Sequence, residues 1–327
     1  MHAHSRRHRH LRPRPVLRHP PRRDRGGHDP DGQGAGPAAQ PRQELRRLRQ
    51  AQVLPALRTG SGGPGNVEAR EEKRQTVTDA IISDIHANWE ALSKVFEDID
   101  RRGIESVLCL GDVVGYGPDP DRCLDLVRRR CAVYLMGNHE EALLRAPIGF
   151  YSLAREALAW TRTRLFGPWW KPWRAIRYRR ILNDLPRLAH RPDCLLVHGS
   201  PRDPTSEYLL PRDFLLADPD VIAELFTFEE PVCFTGHTHM PCVFTEGRNV
   251  YPSGEDGMEV RIEGEKLIIN VGSVGQPRDR DPRACYVEFT GDRVIYHRIP
   301  YDLAATQQKI AANGLDHRLA ERLGYGV

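Results

Sequence analysis

Five polar clusters punctuate the chain, each after a short apolar run: Asp84-Ile85-His86, Gly111-Asp112, Gly137-Asn138-His139-Glu140, His198-Gly199 and Gly236-His237-Thr238-His239. They offer carboxylate oxygens, an amide oxygen and imidazole nitrogens, and no thiolate. That donor set suits Mn²⁺, Fe, Zn²⁺, Co²⁺ or Ni²⁺ and makes a poor cage for Ca²⁺ alone. The donors outnumber the ordinary coordination positions of one ion. Two ions roughly 3.5–4 Å apart, sharing a carboxylate, would use them all. Five of the eight histidines beyond residue 76 lie in these clusters. Singly each cluster says little, because a lone histidine is more often structural than a ligand. A Gly-Asn-His-Glu tetrapeptide, however, is expected only about 0.002 times by chance in a chain this long, and the ordered set is far rarer.

The elements before the clusters explain how they would meet. Residues 80–83 predict a short buried strand, followed by a helix over residues 89–102 with apolar positions at 89, 92, 95, 96 and 99. A second strand covers 106–110, a helix 121–130 and a third strand 132–136. Strands alternating with helices imply parallel pairing through right-handed crossovers. In such sheets ligands collect at the carboxyl ends of the strands, where the clusters stand. A helical region follows from about 140 to 183, then strands at 194–197 and 232–235. Beyond residue 242 the texture is strand-turn-strand (242–246, 258–262, 267–271, 284–289, 293–299), with turns at Glu263-Gly264-Glu265 and Thr290-Gly291-Asp292. Two amphipathic segments, 301–313 and 316–323, come last, and no internal repeat is present.

Composition narrows the function classes. The 327 residues carry a formal charge of +4, but residues 1–76 hold 17 Lys and Arg against 7 Asp and Glu, leaving a balance of −6 for the rest. A mildly acidic body is a poor non-specific DNA binder, because neutralising phosphates supplies most of that affinity. No run approaches the roughly 20 apolar residues that span a bilayer, and no secretory signal is expected at the basic start. The seven scattered cysteines form no Cys-x-x-Cys pair. They point to a reducing, cytoplasmic setting without disulfides or a thiolate zinc site. The head, rich in Arg, Pro, Gly and His, lacks the apolar content to order itself, so a disordered tail or a mis-assigned start is expected over 1–76. Nucleic-acid contact by the basic run at 6–25 and a targeting role are weaker readings.

In type and order the clusters resemble the motifs of the calcineurin-like metallophosphoesterases, over residues 77–323 or so. The stretches Gly111-Asp-Val-Val-Gly-Tyr-Gly-Pro, His198-Gly-Ser-Pro and Asn270-Val-Gly-Ser-Val-Gly-Gln-Pro look like the family's compact prokaryotic branch. The resemblance implies an α/β fold, a four-layer αββα sandwich of two mixed sheets flanked by helices. It would occupy 77–327 and carry a helical cap insertion at about 145–190. It also implies that Asp84, His86 and His239 hold one metal, Asn138, His198 and His237 a second, and Asp112 bridges them. Two divalent transition-metal ions are expected, Mn²⁺ first, with Fe, Zn, Co or Ni as alternatives. His139 would help protonate the leaving oxygen, oriented by Glu140, where many relatives carry Asp. Ala87 departs from a frequent glycine, which matters if that backbone needs a positive φ.

The implied reaction is phosphoester hydrolysis by a metal-bridging hydroxide, without a covalent enzyme intermediate. Tyr116 and Arg202 are candidates to line the substrate mouth, although an ordinary surface salt bridge is the plainer reading of Arg202. Gly275-Gln276-Pro277-Arg278 reads as a turn under the site, with a direct substrate contact as the sharper alternative. Residues 162–180 interleave seven Lys and Arg with Phe166, Trp169, Trp170, Trp173 and Tyr178. Such a segment can grip a nucleotide or strand or meet a membrane surface, but a helical cap packing its tryptophans on the body is the plainer reading. His190, His297 and His317 match no cluster and read as structural. The favoured function is a phosphatase acting on small phosphomonoesters or phosphoproteins. A phosphodiesterase or nuclease is the alternative, and a non-catalytic metal-binding module is the reading from another class.

Overall fold

The computed structural model describes residues 78–327. The expectations for 1–76 therefore lie outside the described residues. The alternation expected of a strand sorts the first element. In β1 (Asp79–Ile82), Ile81 faces one side of its sheet while Ala80 and Ile82 face the other.

The first sheet runs β3 (Val133–Tyr134), β2 (Ser106–Cys109), β1, β11 (Ala284–Phe289), β12 (Arg293–Ile299) and β9 (Glu259–Arg261). Its first three strands are parallel and the rest antiparallel. The second runs β4 (Leu188–His190), β5 (Leu195–Val197), β6 (Val232–Thr235), β10 (Leu267–Asn270), β7 (Cys242–Thr245) and β8 (Val250–Pro252). Here β5, β6 and β10 are parallel. Ile81 pairs in register with Leu108 and Val287, and these side chains join Leu196, Phe234 and Ile269 of the second sheet in one buried core. The sheets thus pack face to face.

Helices cover both outer faces. On the first sheet, α1 (Trp89–Arg102) and α2 (Pro120–Arg130) bury Leu92, Val95, Phe96, Ile99, Leu124 and Val127. Each such side chain contributes about 1.5–3 kcal/mol. The Asn88 side chain caps α1 by accepting the Ala91 N–H at 3.2 Å, and Gly103 ends it in the left-handed conformation. The short helix α3 (Asn138–Leu144) follows β3. On the second sheet, α6 (Pro211–Leu216) and α7 (Pro219–Leu225) bury Phe214, Ile222 and Leu225. The αββα sandwich expected from the resemblance is what the described residues form.

Residues 145–190 contribute α4 (Ser152–Phe166), α5 (Pro172–Asn183) and β4. Through Leu158, Leu165, Tyr178 and Leu182 the two helices join the core of the first helical layer. The tryptophans do not pack as expected: Trp169 is 88% exposed, and Trp170 and Trp173 are each 61% exposed. Gly167 and Pro172 break the helical run around the first two. Trp173 stands five residues before the inward-facing Tyr178, about 140° around the helix. The final helices, α8 (Leu303–Ala312) and α9 (His317–Tyr325), pack Ile310, Leu319 and Leu323 against α4.

One polar contact fastens α1 to the first sheet. Asp98 is buried and accepts from the Tyr286 hydroxyl at 2.7 Å, from Arg102 at 2.7 Å and from Arg101. Burial alone would raise its carboxyl above the ordinary 3.8, but the Tyr286 and Arg102 hydrogen bonds outweigh that and hold it lower. Asp98→Ala should cost about 2 kcal/mol in urea unfolding at neutral pH by leaving these donors unpaired. Because the native value is depressed, the stabilisation is present above pH 3.8 and fades as pH falls through the native value. The stability gap between wild type and Asp98→Asn should accordingly narrow on acidification.

Candidate metal centre

The loops after β1, β2, β3, β5 and β6 converge where the two sheets meet. Backbone bonds hold them in place: Asp84 N–H to Gly111 O at 3.0 Å, His86 N–H to Asp112 O at 2.9 Å, and Gly236 N–H to His198 O at 2.9 Å. The residues 275–278 turn lies beneath. Its Gly275 N–H donates to Asp84 O at 2.9 Å, and its carbonyl accepts from the Asn88 side chain at 2.9 Å.

Each buried aspartate divides its two oxygens between structure and site. Asp84 Oδ2 accepts the backbone N–H of His237 at 2.9 Å, a bond that joins the two sheets, while Oδ1 has no hydrogen-bond partner. Asp112 Oδ1 accepts the N–H of His139 at 2.9 Å. Its Oδ2 stands 3.4 Å from His198 Nε2, 3.8 Å from His86 Nε2 and 3.9 Å from His139 Nε2. One carboxylate oxygen therefore lies between two groups of imidazoles.

The hydrogen bonds of the imidazoles assign their tautomers. His86 Nδ1–H faces Val114 O at 3.0 Å, and His239 Nδ1–H faces Gln276 O at 2.6 Å. Their Nε2 lone pairs then meet at 3.0 Å, with Asp84 Oδ1 3.1 Å from His239 Nε2. Lone pairs converging in this way repel unless a cation sits among them, so the residues fit a metal ion. On the other side of Asp112, His237 donates Nε2–H to Ser206 O at 3.1 Å and turns Nδ1 toward His198 Nε2 at 3.2 Å. Asn138 Oδ1 lies 3.2 Å from the same His198 nitrogen. The candidate donor atoms form three overlapping groups: Asp84, His86 and His239; His86, Asp112 and His139; Asp112, His198 and His237.

The charge state agrees with this. Burial would raise both aspartates, but the surrounding imidazoles, His239 for Asp84 and His198 for Asp112, more than offset it and keep them ionised. Burial pushes His86 down, His139 to about 4 and His237 to about 3, and it lowers His239 with help from the Arg278 charge. His198 goes the other way, to about 9: burial opposes its protonation, but Asp112 beside it prevails. Two carboxylates that stay ionised thus lie beside one imidazole, His198, that favours its protonated form.

Glu140 makes no hydrogen bond to the His139 ring. Its carboxylate accepts backbone N–H groups from Asp112 and Val113 at 2.8 Å, Gly137 at 3.0 Å and Val114 at 3.3 Å. The Tyr134 hydroxyl adds a fifth donor at 3.2 Å. Burial and the Asp112 charge push Glu140 up to about 7, yet five donors and no nearby acceptor favour its ionised form. Its work is to fasten the Asp112 loop. His139 Nδ1 has no hydrogen-bond partner, and its ring rests edge-on to Phe150 at 5.0 Å.

Tyr116 stands beside the imidazoles. Its ring centre lies 4.7 Å from those of both His86 and His139, and its hydroxyl shares a 3.1 Å bond with Tyr151, which accepts from Arg322 of α9. Arg202 is held by Glu207 and Glu224, the salt-bridge alternative. Phe150, Tyr151, Tyr208 and Ser206 carried no recognisable spacing in the sequence. Tyr208 packs its ring on His237 at 3.7 Å between centres.

The loops are strained. Asp84, His86, Ala87, Asp112, Tyr116, His237 and His239 all have φ between 47° and 66°. Non-glycine residues seldom adopt this conformation outside functional sites. Ala87, at φ 53°, explains why glycine suits that position.

Residues 80–268 match the family model of the calcineurin-like phosphoesterases. An uncharacterized protein of Methanocaldococcus jannaschii is 33% identical over 256 residues, which cover 76% of this chain and 97% of its own. The crystal structure of a metallophosphoesterase from Sphaerobacter thermophilus superposes with a TM-score of 0.65 at 36% identity, covering 77% of this chain and 99% of that one. A hypothetical protein from Pyrococcus horikoshii OT3 shares the fold at 16% identity, with a TM-score of 0.59 over 76% of this chain and 98% of its own.

Gly137 separates steric from conformational roles for glycine at this centre. Its φ of −86° suits any residue, but a Cβ would run into the Asp112 carboxylate. Gly137→Ala should weaken metal binding about 10- to 100-fold, measured by metal titration of the stripped protein. Gly103→Ala, at φ 71° in open space, should cost about 1 kcal/mol of stability and leave metal affinity unchanged.

Proposed function

The chain belongs to the calcineurin-like phosphoesterase family, and we propose that it is a phosphomonoesterase working with two divalent transition-metal ions, Mn²⁺ foremost. Metal-dependent phosphoester hydrolysis comes with the family. The observation that carries the finer reading is the central Asp112 Oδ2, facing His86 on one side and His198 on the other. Asp84, His86 and His239 would hold one ion, and Asn138, His198 and His237 the other, with Asp112 between them. When bound, such cations acidify water and neutralise charge on the phosphoryl oxygens.

The chain's own groups do the remaining work. Asp84 and Asp112 are fixed by one backbone amide each, so neither carboxylate has to reorient during turnover. The Val114 and Gln276 carbonyls keep the protons of His86 and His239 on Nδ1, away from the centre. His139, neutral and buried, brings one N–H toward the leaving oxygen. An arriving phosphate dianion favours its protonated form, which can pass that proton on. Tyr116 and Phe150 exclude water from the His139 ring.

The diester reading draws on Trp169, Trp170 and Trp173, exposed beside Lys171. Aromatic rings with cations suit a nucleotide or single strand. Among the described residues no helix is long and apolar enough to cross a membrane. The seven free cysteines suit a reducing cytoplasmic setting.

Hydrolysis of p-nitrophenyl phosphate against its bis-ester, with added Mn²⁺, separates the two readings, and the monoester should be cleaved faster. Asp112→Asn should lose bound metal together with activity. His139→Ala should keep its metal and lose about 10²- to 10⁴-fold in kcat. Equal metal loss in both variants would contradict the division between a metal-bridging Asp112 and a proton-donating His139.

A further inference from the structure

Arg278 differs from the arginines near the centre that are held in ion pairs. Arg202 is tied to Glu207 and Glu224, Arg187 to Glu141, and Arg298 to Asp279. Arg278 has no carboxylate within ion-pair distance among the described residues. Its Nη2 donates to Gln276 Oε1 at 2.9 Å, a neutral acceptor that orients the guanidinium without cancelling its charge. Its Nε is buried and has no hydrogen-bond partner. The backbone N–H of Arg278 donates to the carbonyl of His239 at 3.2 Å, which fixes the residue beside a candidate metal ligand. The guanidinium carbon lies 6.0 Å from the Tyr116 ring centre, and that ring lies 4.7 Å from the His139 ring. A half-buried cation at this seam, with an unused donor, is built to receive an anion.

We infer that Arg278 grips a non-bridging oxygen of the substrate phosphate and so makes the site select dianionic phosphomonoesters over monoanionic diesters. The inference rests on the phosphoesterase reading above. A monoester carries one more negative charge than a diester, and an oriented guanidinium beside the metal seats rewards that charge.

The test uses the full chain loaded with Mn²⁺, with inorganic phosphate as the probe. Calorimetric titration of wild type, Arg278→Met and Arg278→Lys is combined with metal content, melting temperature and KM for the mono- and bis-ester. In Arg278→Met, phosphate should bind about 10- to 100-fold more weakly, the size of a lost hydrogen bond to a charged group. The monoester KM should rise by a similar factor, with the bis-ester KM within about twofold and metal content unchanged. Arg278→Lys should recover part of the loss, since a point charge remains without the fork. Unchanged phosphate affinity in a folded, metal-loaded Arg278→Met protein would overturn this inference alone. So would equal KM increases for both esters. A wild-type protein that takes up no metal and cleaves neither ester would overturn the phosphoesterase reading, and this inference with it.

Discussion

Two ionised carboxylates, Asp84 and Asp112, are buried where two sheets meet, and the rest of the site answers to them. An isolated carboxylate in an apolar interior is prohibitively unfavourable. The chain reduces that cost by giving one oxygen of each to a backbone amide and surrounding the other with imidazoles. The remaining imbalance is what a cation would remove. The arrangement also needs seven non-glycine residues in left-handed backbone, at about 1–2 kcal/mol each. Isolated loops would relax out of such conformations. They persist because the strands on either side share the core of Ile81, Leu108, Phe234 and Ile269.

Much of this was legible in the sequence, for a physical reason. Strand β1, the helix α1 and the strands β6, β11 and β12 have local signals strong enough to stand alone, and their bounds agree with expectation within a residue. That these side chains would gather in one place was legible because they share a type and all stand at strand ends. The elements that were missed are short. Helices α6 and α7 have six and seven residues and begin at prolines, β4 has three, and none completes a recognisable period. The predicted third strand shrinks to Val133–Tyr134: Leu135 N–H still reaches Cys109 O at 2.9 Å, but Met136 N–H turns to Pro186 O at 2.8 Å.

What the sequence concealed is contact through space. Glu140 sits next to His139 in the chain, which suggested a partnership, yet one helical step turns it onto the amides of residues 112–114. Tyr116 pointed to the substrate mouth because it follows Asp112, but its ring packs between two histidines and its hydroxyl connects to α9 through Tyr151 and Arg322. Arg202 follows its plainer reading, a salt bridge, with Glu207 and Glu224 further along the chain. For Glu140 and Tyr116 adjacency in sequence was a poor guide to which face a side chain would take.

The borders of the two sheets have a consequence for assembly. Each sheet ends on very short strands: two residues in β3, and three each in β9, β4 and β8. Little ladder is left there for a neighbouring molecule to extend, and β9 carries Glu259 and Arg261 along its exposed side. Stunted, charged margins of this kind discourage fibre-like stacking. Self-association of this domain would have to be built from side-chain surfaces, with geometry and specificity of their own.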